Sequence, residues 1–201
     1  MDAAVALVQA YLRVNGYFTE TEYPIVTRRK GEPVTLTDLD ILAVRFPGAG
    51  RWIPHAKGRG LAVEVDPRLQ VTQKRMDFII GEVKQGRGGI NSGTNSLPVI
   101  ETVLHRFGCC ESDPSKIARD LLRGLQPEIR VLEGIPCRMR MILFSGSKEP
   151  DPGPYQVIRL RQIVKFLSAY LRGYEKIFLH TKMKDDVLAL VTLFTKLGFR
   201  L

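Results

Sequence analysis

The feature that most constrains this chain is a short apolar segment, residues 78–84 (FIIGEVK), which carries two charges. Its apolar residues predict a buried β-strand. Because side chains of a strand alternate between faces, Glu82 and Lys84 project from the same face as Phe78 and Ile80. A buried acid and base lower stability unless something compensates them. The segment therefore predicts an ion pair, a metal site or a catalytic site within a sheet.

A second segment, residues 35–46 (TLTDLDILAVRF), predicts another strand with the same conflict. Asp40 shares a face with Leu42 and should be partly buried, whereas Asp38, nearer the start of the strand, should be solvated. Adjacent strands lie about 4.8 Å apart, so Asp40 and Glu82 would lie side by side if the two strands pair. Two carboxylates at about 4 Å repel each other by about 1 to 4 kcal/mol. A divalent cation that prefers oxygen ligands, such as Mg²⁺, Ca²⁺ or Mn²⁺, removes that repulsion.

An aspartate, a long gap and a Glu-x-Lys on an apolar strand resemble the PD-(D/E)XK nuclease superfamily. Residues 37–43 (TDLDILA) and 80–84 (IGEVK) are similar to the paired signatures of its resolvase-like and RecB-like members. A predicted helix over residues 2–14 and a short predicted strand at residues 23–27 precede the Asp40 strand. This order is similar to the αβββαβ core of the superfamily.

The resemblance covers residues 1–145 and implies an α/β fold of the restriction endonuclease-like type. Its core would be a mixed central sheet flanked by helices. We expect a single domain over residues 1–201. Residues 47–76 would be an insertion between the second and third core strands, and residues 155–201 would be a C-terminal helical extension.

For the site, the resemblance implies an endonuclease that uses Mg²⁺ or Mn²⁺ to hydrolyse DNA. Asp40 and Glu82 would bind the metal together with the backbone carbonyl of Val83. Lys84 would hold the attacking water and offset negative charge in the transition state. Gln85, directly after the motif, would hold the substrate or a water, although an exposed residue at a strand end is an equal interpretation.

Two departures from the family pattern leave alternatives open. The predicted helix over residues 2–14 has no glutamate, and Gln9 is its only polar residue in mid-helix. A nuclease-fold module that binds nucleic acid without cutting it is therefore an alternative function, and a purely structural ion-pair network is another. The gap between Asp40 and Glu82 is also longer than the compact pattern. The alternative acids are Glu64, Asp66 and Asp77, of which Asp77 begins the Glu82 strand but in a phase that puts it on the opposite face from Glu82.

The charge balance favours a polyanionic partner. The chain has 30 Lys and Arg against 21 Asp and Glu, a net charge of +9, and one basic cluster is Arg138-Met139-Arg140. Nucleic acid is the usual partner of such a surface, although a basic, solubilising surface is the alternative. We expect DNA, with RNA as an alternative. Trp52 would either stack on a base or pack against the protein, and the sequence favours neither. The candidate nucleic-acid-binding residues are Arg51, Trp52, Lys57, Arg59 and Arg87.

The remaining features favour a cytoplasmic protein. The chain has three cysteines, which do not predict a disulfide framework. No apolar run reaches the roughly 18 residues of a membrane helix, so we expect no membrane partner. The N-terminus lacks the basic start of a signal peptide. Nucleases of this superfamily often act as dimers, so a homodimer is a further possibility that the sequence leaves open.

Overall fold

A computed structural model describes residues 2–50, 52–53, 61–62, 64–108, 113–132, 135–174 and 184–199, with the backbone alone at 52–53, 61–62 and 130–132. The helices are α1 (Ala3–Val14), α2 (Leu97–Arg106), α3 (Pro114–Leu122), α4 (Leu160–Gly173) and α5 (Asp186–Lys196). The strands are β1 (Phe18–Arg29), β2 (Glu32–Arg45), β3 (Trp52–Ile53), β4 (Leu61–Ala62), β5 (Met76–Lys84), β6 (Glu128–Leu132), β7 (Ile135–Ser145) and β8 (Gln156–Arg159). A short 3-10 helix spans Pro67–Leu69.

Six strands form one mixed sheet in the spatial order β1-β2-β5-β7, with β6 and β8 both on the far side of β7. The β1–β2, β2–β5 and β6–β7 pairs are antiparallel, whereas β7 runs parallel to β5 and to β8. β3 and β4 form a separate two-stranded hairpin within the predicted insertion. The predicted α/β class with a mixed sheet is therefore confirmed.

Helices cover both faces of this sheet. α1, α4 and α5 pack on one face, where Ile41 and Ile79 belong to the first apolar cluster. α2 and α3 pack on the other face, where Phe78 and Ile80 belong to the second cluster. Glu82 is in phase with Phe78 and Ile80, so its side chain lies on the face that α2 and α3 cover. None of the helices in the described ranges is both long enough and apolar enough to cross a bilayer.

Local sequence signals explain where the helices begin. Asp2 precedes α1 and its Oδ1 accepts a hydrogen bond of 2.7 Å from the Ala4 amide. Asp113 precedes α3 and accepts from the Ser115 amide at 3.0 Å, and Pro114 occupies the first turn. An acidic cap and an early proline both suit the unpaired N–H groups of a helix start. The helix predicted over residues 2–14 agrees with α1 to within one residue.

The sequence underestimated one strand and missed another. β1 continues well past the predicted residues 23–27, because it pairs with β2 from Phe18↔Val44 to Arg29↔Glu32. Hairpin pairing holds the outer part of β1, so no apolar alternation was needed there. β6 was not predicted, because it is a short strand that pairs only with the first half of β7.

Candidate functional site

The pairing of β2 with β5 places the two predicted carboxylates on adjacent strands. The antiparallel register ends at Ile41↔Gly81, and Asp40 and Glu82 are the next residues on their strands. The negative charge of Glu82 contributes to raising the pKa of Asp40, so the two carboxylates are within electrostatic reach. The predicted pairing of the two strands is present, and both carboxylates lie just beyond the end of that pairing.

Asp40 is half-buried, and its Oδ2 accepts a hydrogen bond of 2.7 Å from the Val83 amide. Burial is the largest influence on its pKa and raises it above the ordinary value. The Val83 N–H opposes that rise, as does the positive charge of Lys84, whereas Glu82 and Asp2 add to it. Carboxylates whose pKa is shifted by burial and by neighbouring charges are common in functional sites.

Glu82 is buried, with 1% of its side chain exposed, and lies beneath Lys84 in an ion pair. Its Oε2 accepts a hydrogen bond of 2.9 Å from the Thr94 hydroxyl. Its Oε1 lies 2.7 Å from the Lys84 ammonium but accepts no hydrogen bond within the described chain. The ammonium also donates to Asn91 Oδ1 at 2.8 Å. Because 25% of the Lys84 side chain is exposed, the ion pair connects a buried acid to the surface.

Thr94 and Asn91 are site residues that the sequence did not predict. Both lie in the segment between β5 and α2, which folds back so that Thr94 holds Glu82 and Asn91 holds Lys84. In metal sites, side chains that do not touch the metal commonly hydrogen-bond its ligands and fix their orientation. Their only sequence signal is the position shortly after the Glu-x-Lys motif, since neither residue type is distinctive in a polar loop.

Gly81 lets the neighbouring side chains close around the strand directly before Glu82. A Cβ at this position would lie 2.9 Å from Phe144 Cε2 and 3.0 Å from Ile41 Cβ. Both distances are shorter than ordinary carbon contacts, which are about 3.5 to 4.0 Å. The glycine of the motif therefore permits tight packing of the strand that carries Glu82.

Gln85 contacts the start of the first helix. Its Nε2 donates a hydrogen bond of 2.7 Å to Asp2 Oδ2. Asp2 thus brings an acid of the first helix to the edge of the site, and its charge also adds to the raised pKa of Asp40. The sequence had offered Gln9 as the polar residue of this helix, and Gln9 is 9% exposed. The sequence did not indicate Asp2, because only mid-helix positions were considered and Asp2 stands at the helix start.

The predicted nucleic-acid contacts fall mainly outside the described residues. Arg87 is exposed and forms an ion pair of 3.0 Å with Asp151. For Trp52 the structure describes the backbone in β3 and not the side chain. Arg51, Lys57 and Arg59 lie outside the described residues.

Asp77, one of the alternative acids, lies on the opposite face from Glu82 in a buried basic cluster. Arg138 Nε donates to its Oδ1 at 2.7 Å, and Arg140 Nη2 donates to its Oδ2 at 2.6 Å. The Tyr17 hydroxyl also donates to Oδ2, and burial raises the pKa of Tyr17 far above its usual range, so it stays a donor. Both arginines are buried, which removes the Arg138-Met139-Arg140 cluster from the basic surface.

The other alternative acids also lie away from Asp40. Asp66 is buried and accepts a hydrogen bond of 3.0 Å from the Tyr11 hydroxyl. It also caps the 3-10 helix by accepting from the Arg68 amide at 2.9 Å. Glu64 is exposed two residues earlier. Asp66 therefore has a structural role, since it caps the 3-10 helix and binds α1 through Tyr11. Glu64 lies next to the same turn.

The oxygens of Asp40 and Glu82 suit a hard divalent cation. Glu82 Oε1 is buried without a hydrogen bond, and only Oδ2 of Asp40 accepts one within the described chain. Over the described ranges, no group of three or more His, Cys, Asp or Glu residues is arranged to hold a metal. Mg²⁺ requires fewer protein ligands, because it usually keeps several waters and binds one or two carboxylates. The two carboxylates therefore fit Mg²⁺ or Mn²⁺.

The raised pKa of Asp40 predicts a specific dependence of stability on pH. The folded chain holds the Asp40 proton to a higher pH than the unfolded chain does. The resulting stabilisation is complete below the unfolded pKa of about 3.9 and is lost as the pH rises through the raised folded value. We expect Asp40→Asn to gain stability relative to the wild type as the pH rises from about 3.9 through the raised folded pKa of Asp40. Denaturant unfolding in metal-free buffer at several pH values measures this difference.

The matched control for that measurement is Asp38→Asn, which removes an exposed carboxylate from the same strand. Its stability relative to the wild type should change little over the same pH interval. If Asp40→Asn followed Asp38→Asn at every pH, burial would not be raising the pKa of Asp40.

Comparison with known proteins assigns no family to the chain. No family model, no curated protein and no solved structure matches it. Its functional assignment therefore rests on the arrangement of Asp40, Glu82 and Lys84.

Proposed function

We propose that the chain is a DNA endonuclease that depends on Mg²⁺ or Mn²⁺ and has a restriction endonuclease-like core. The proposal rests on the Asp40 carboxylate and the Glu82–Lys84 ion pair, which lie within electrostatic reach of each other at the end of the β2–β5 pairing. The order of α1, β1, β2 and β5, followed by two helices and a strand parallel to β5, supports an αβββαβ core.

Each side chain of the site would have its own role in phosphodiester hydrolysis. When bound, a divalent cation supplies polarisation of the phosphodiester and a more acidic water. Asp40 would offer the oxygen that the Val83 amide does not engage, and Glu82 would offer Oε1. The backbone carbonyl of Val83 would be a third oxygen ligand of the cation. These ligands stand on paired strands, which hold them at a fixed separation.

Lys84 has a different part before and during the reaction. Its ammonium lies 2.7 Å from Glu82 Oε1 and neutralises that carboxylate. If Oε1 bound a cation, the Lys84 ammonium would be free to contact the phosphate, where a compact positive charge would offset the negative charge that develops in the transition state. Asn91, which accepts from the ammonium at 2.8 Å, keeps Lys84 beside the site.

A second candidate function is a module of the same fold that binds nucleic acid without cutting it. The observation that favours it is the ion pair between Glu82 and Lys84, which already compensates both charges without a metal. The net charge of +9 suits either function.

Incubation of the wild-type protein with plasmid DNA separates the two candidates. We expect nicked and linear products with Mg²⁺ or Mn²⁺ and none with EDTA. We also expect each ion to stabilise the protein, by about 2.7 kcal/mol at 100 times its dissociation constant. Salt-sensitive binding without cleavage or metal stabilisation would instead identify the second candidate.

A further inference from the structure

The β1–β2 hairpin extends well beyond the rest of the sheet. β5 pairs with β2 only at residues 41–45, whereas β1 continues to pair with β2 as far as Arg29↔Glu32. Residues 26–38 form the outer part, here called the arm, and none of them is buried. On the β1 side the arm has four paired residues, Val26 to Arg29, so at about 3.3 Å per residue the paired ribbon is roughly 13 Å long. It is a two-stranded ribbon with solvent on both faces.

The arm begins next to the candidate site. Its last residue, Asp38, is followed two positions later by Asp40. At its base, Thr37 packs against Gly93, where an added Cβ would lie 3.1 Å from Thr37 Cβ. Gly93 belongs to the same segment as Thr94, which holds Glu82. The ribbon therefore projects from the rim of the site.

The tip of the arm carries three consecutive cations, Arg28, Arg29 and Lys30, against one acid, Glu32. Within the described chain, none of these three cations forms an ion pair or a side-chain hydrogen bond. Their charge is therefore available to a partner. The tip of the hairpin contributes no side chain to the core. Packing therefore does not explain why three cations are concentrated there.

The turn itself favours a residue other than lysine. Lys30 and Gly31 have φ values of 54° and 90°, which is the left-handed geometry of a two-residue hairpin turn. Asn and Gly adopt that conformation more readily than lysine does. Lys30 therefore adopts an unfavourable backbone conformation that no described packing contact of the tip explains, which makes the tip a candidate binding element.

We propose that the arm docks in a groove of double-stranded DNA and leads the duplex across the candidate site, an inference that rests on the proposed function. The major groove of B-DNA is about 12 Å wide and admits a two-stranded ribbon. The tip cations then contact phosphates, as Arg and Lys commonly do. The major groove of duplex RNA is too narrow for side chains to read, and a single strand has no groove. The arm therefore selects duplex DNA.

The test compares two triple variants that remove the same charge. Arg28→Gln/Arg29→Gln/Lys30→Gln changes the tip. Its control is Arg161→Gln/Lys165→Gln/Arg172→Gln, which changes exposed residues of α4 on the sheet face opposite Glu82. Binding to a labelled DNA duplex of about three helical turns is measured in EDTA over a range of salt. We expect the tip variant to make the slope of log K against log salt less steep by about 2.7, which is 0.9 for each of three phosphate contacts.

A single substitution separates docking from folding. Lys30→Asn places a favoured residue in the turn, so we expect unchanged or higher thermal stability together with weaker DNA binding. A purely structural arm would give no loss of affinity. Wild-type binding should also be weaker to the single strand and to duplex RNA of the same length.

The outcomes distinguish this inference from the proposed function. If cleavage is absent and only the tip variant loses affinity and salt dependence, the arm stands and the nuclease assignment fails. If cleavage occurs and both triple variants lose the same affinity, binding reflects net charge alone and the inference on the arm is overturned. Equal wild-type affinity for duplex DNA, duplex RNA and the single strand would also overturn it.

Discussion

Glu82→Gln is expected to lower the rate of metal-dependent DNA cleavage by more than about 100-fold. Mutation of a residue that only orients a metal ligand already lowers metal affinity or activity by about 10- to 100-fold, and Glu82 is proposed to bind the metal directly. The glutamine keeps the shape of the side chain and an acceptor for the Thr94 hydroxyl. It loses the negative charge that attracts the cation and that compensates Lys84. Single-turnover cleavage of a plasmid at saturating Mg²⁺ or Mn²⁺ measures the loss.

The matched control is Glu64→Gln, which makes the same chemical change at an exposed acid beside the Asp66 turn. Its cleavage rate should equal that of the wild type. Thr94→Val removes the hydroxyl that holds Glu82 and should fall between the two, by about 10- to 100-fold. Cleavage by Glu82→Gln at the wild-type rate would remove Glu82 from the site, provided that circular dichroism shows both variants to be folded.

Asp77→Ala is expected to lower the free energy of unfolding by about 3 to 5 kcal/mol, the usual effect of removing one partner of a buried ion pair. The substitution leaves Arg138 and Arg140 buried without a carboxylate. The ion-pair distances are 2.7 and 2.6 Å, and at most 5% of each side chain involved is exposed. Since folded proteins are stable by about 5 to 15 kcal/mol, much of that margin would be lost. Denaturant unfolding followed by circular dichroism measures the change.

An exposed ion pair supplies the comparison for this effect. Asp151→Ala removes the partner of Arg87, where 78% of the arginine and 46% of the aspartate side chain are exposed. Such pairs contribute about 0 to 1 kcal/mol, so Asp151→Ala should change stability little. A loss of less than about 1 kcal/mol for Asp77→Ala would show that the buried arginines are compensated in another way.

The sequence could predict the centre of the site because strand geometry is periodic. The alternation of side chains placed Glu82 and Lys84 on one face and put Asp77 on the other, and the ion pairs agree with both positions. Thr94 and Asn91 lie in a loop, where no period relates sequence position to direction. Their contacts with Glu82 and Lys84 depend on how the chain folds back, which single residue types do not encode.

Buried charge was the harder part of the fold to predict. Arg138 and Arg140 read as part of a basic surface, because long charged side chains are usually exposed. Their burial depends on Asp77, which is distant in sequence and reaches them only when β5 lies beside β7. The same limit applies to β1, whose outer half is held by its hairpin partner and not by a core.

Three charged residues, Arg45, Asp77 and Arg138, lie in one row across β2, β5 and β7. This row affects how accurately the strands align. Arg45 and Arg138 are the neighbours of Asp77 in the two ladders. A one-residue slip of β5 would turn Asp77 to the other face and leave buried guanidinium groups uncompensated. The same slip would carry Glu82, about 16 Å further along the strand, away from Asp40. A misaligned chain is therefore destabilised at one end of β5 by the same error that would separate Glu82 from Asp40 at the other end.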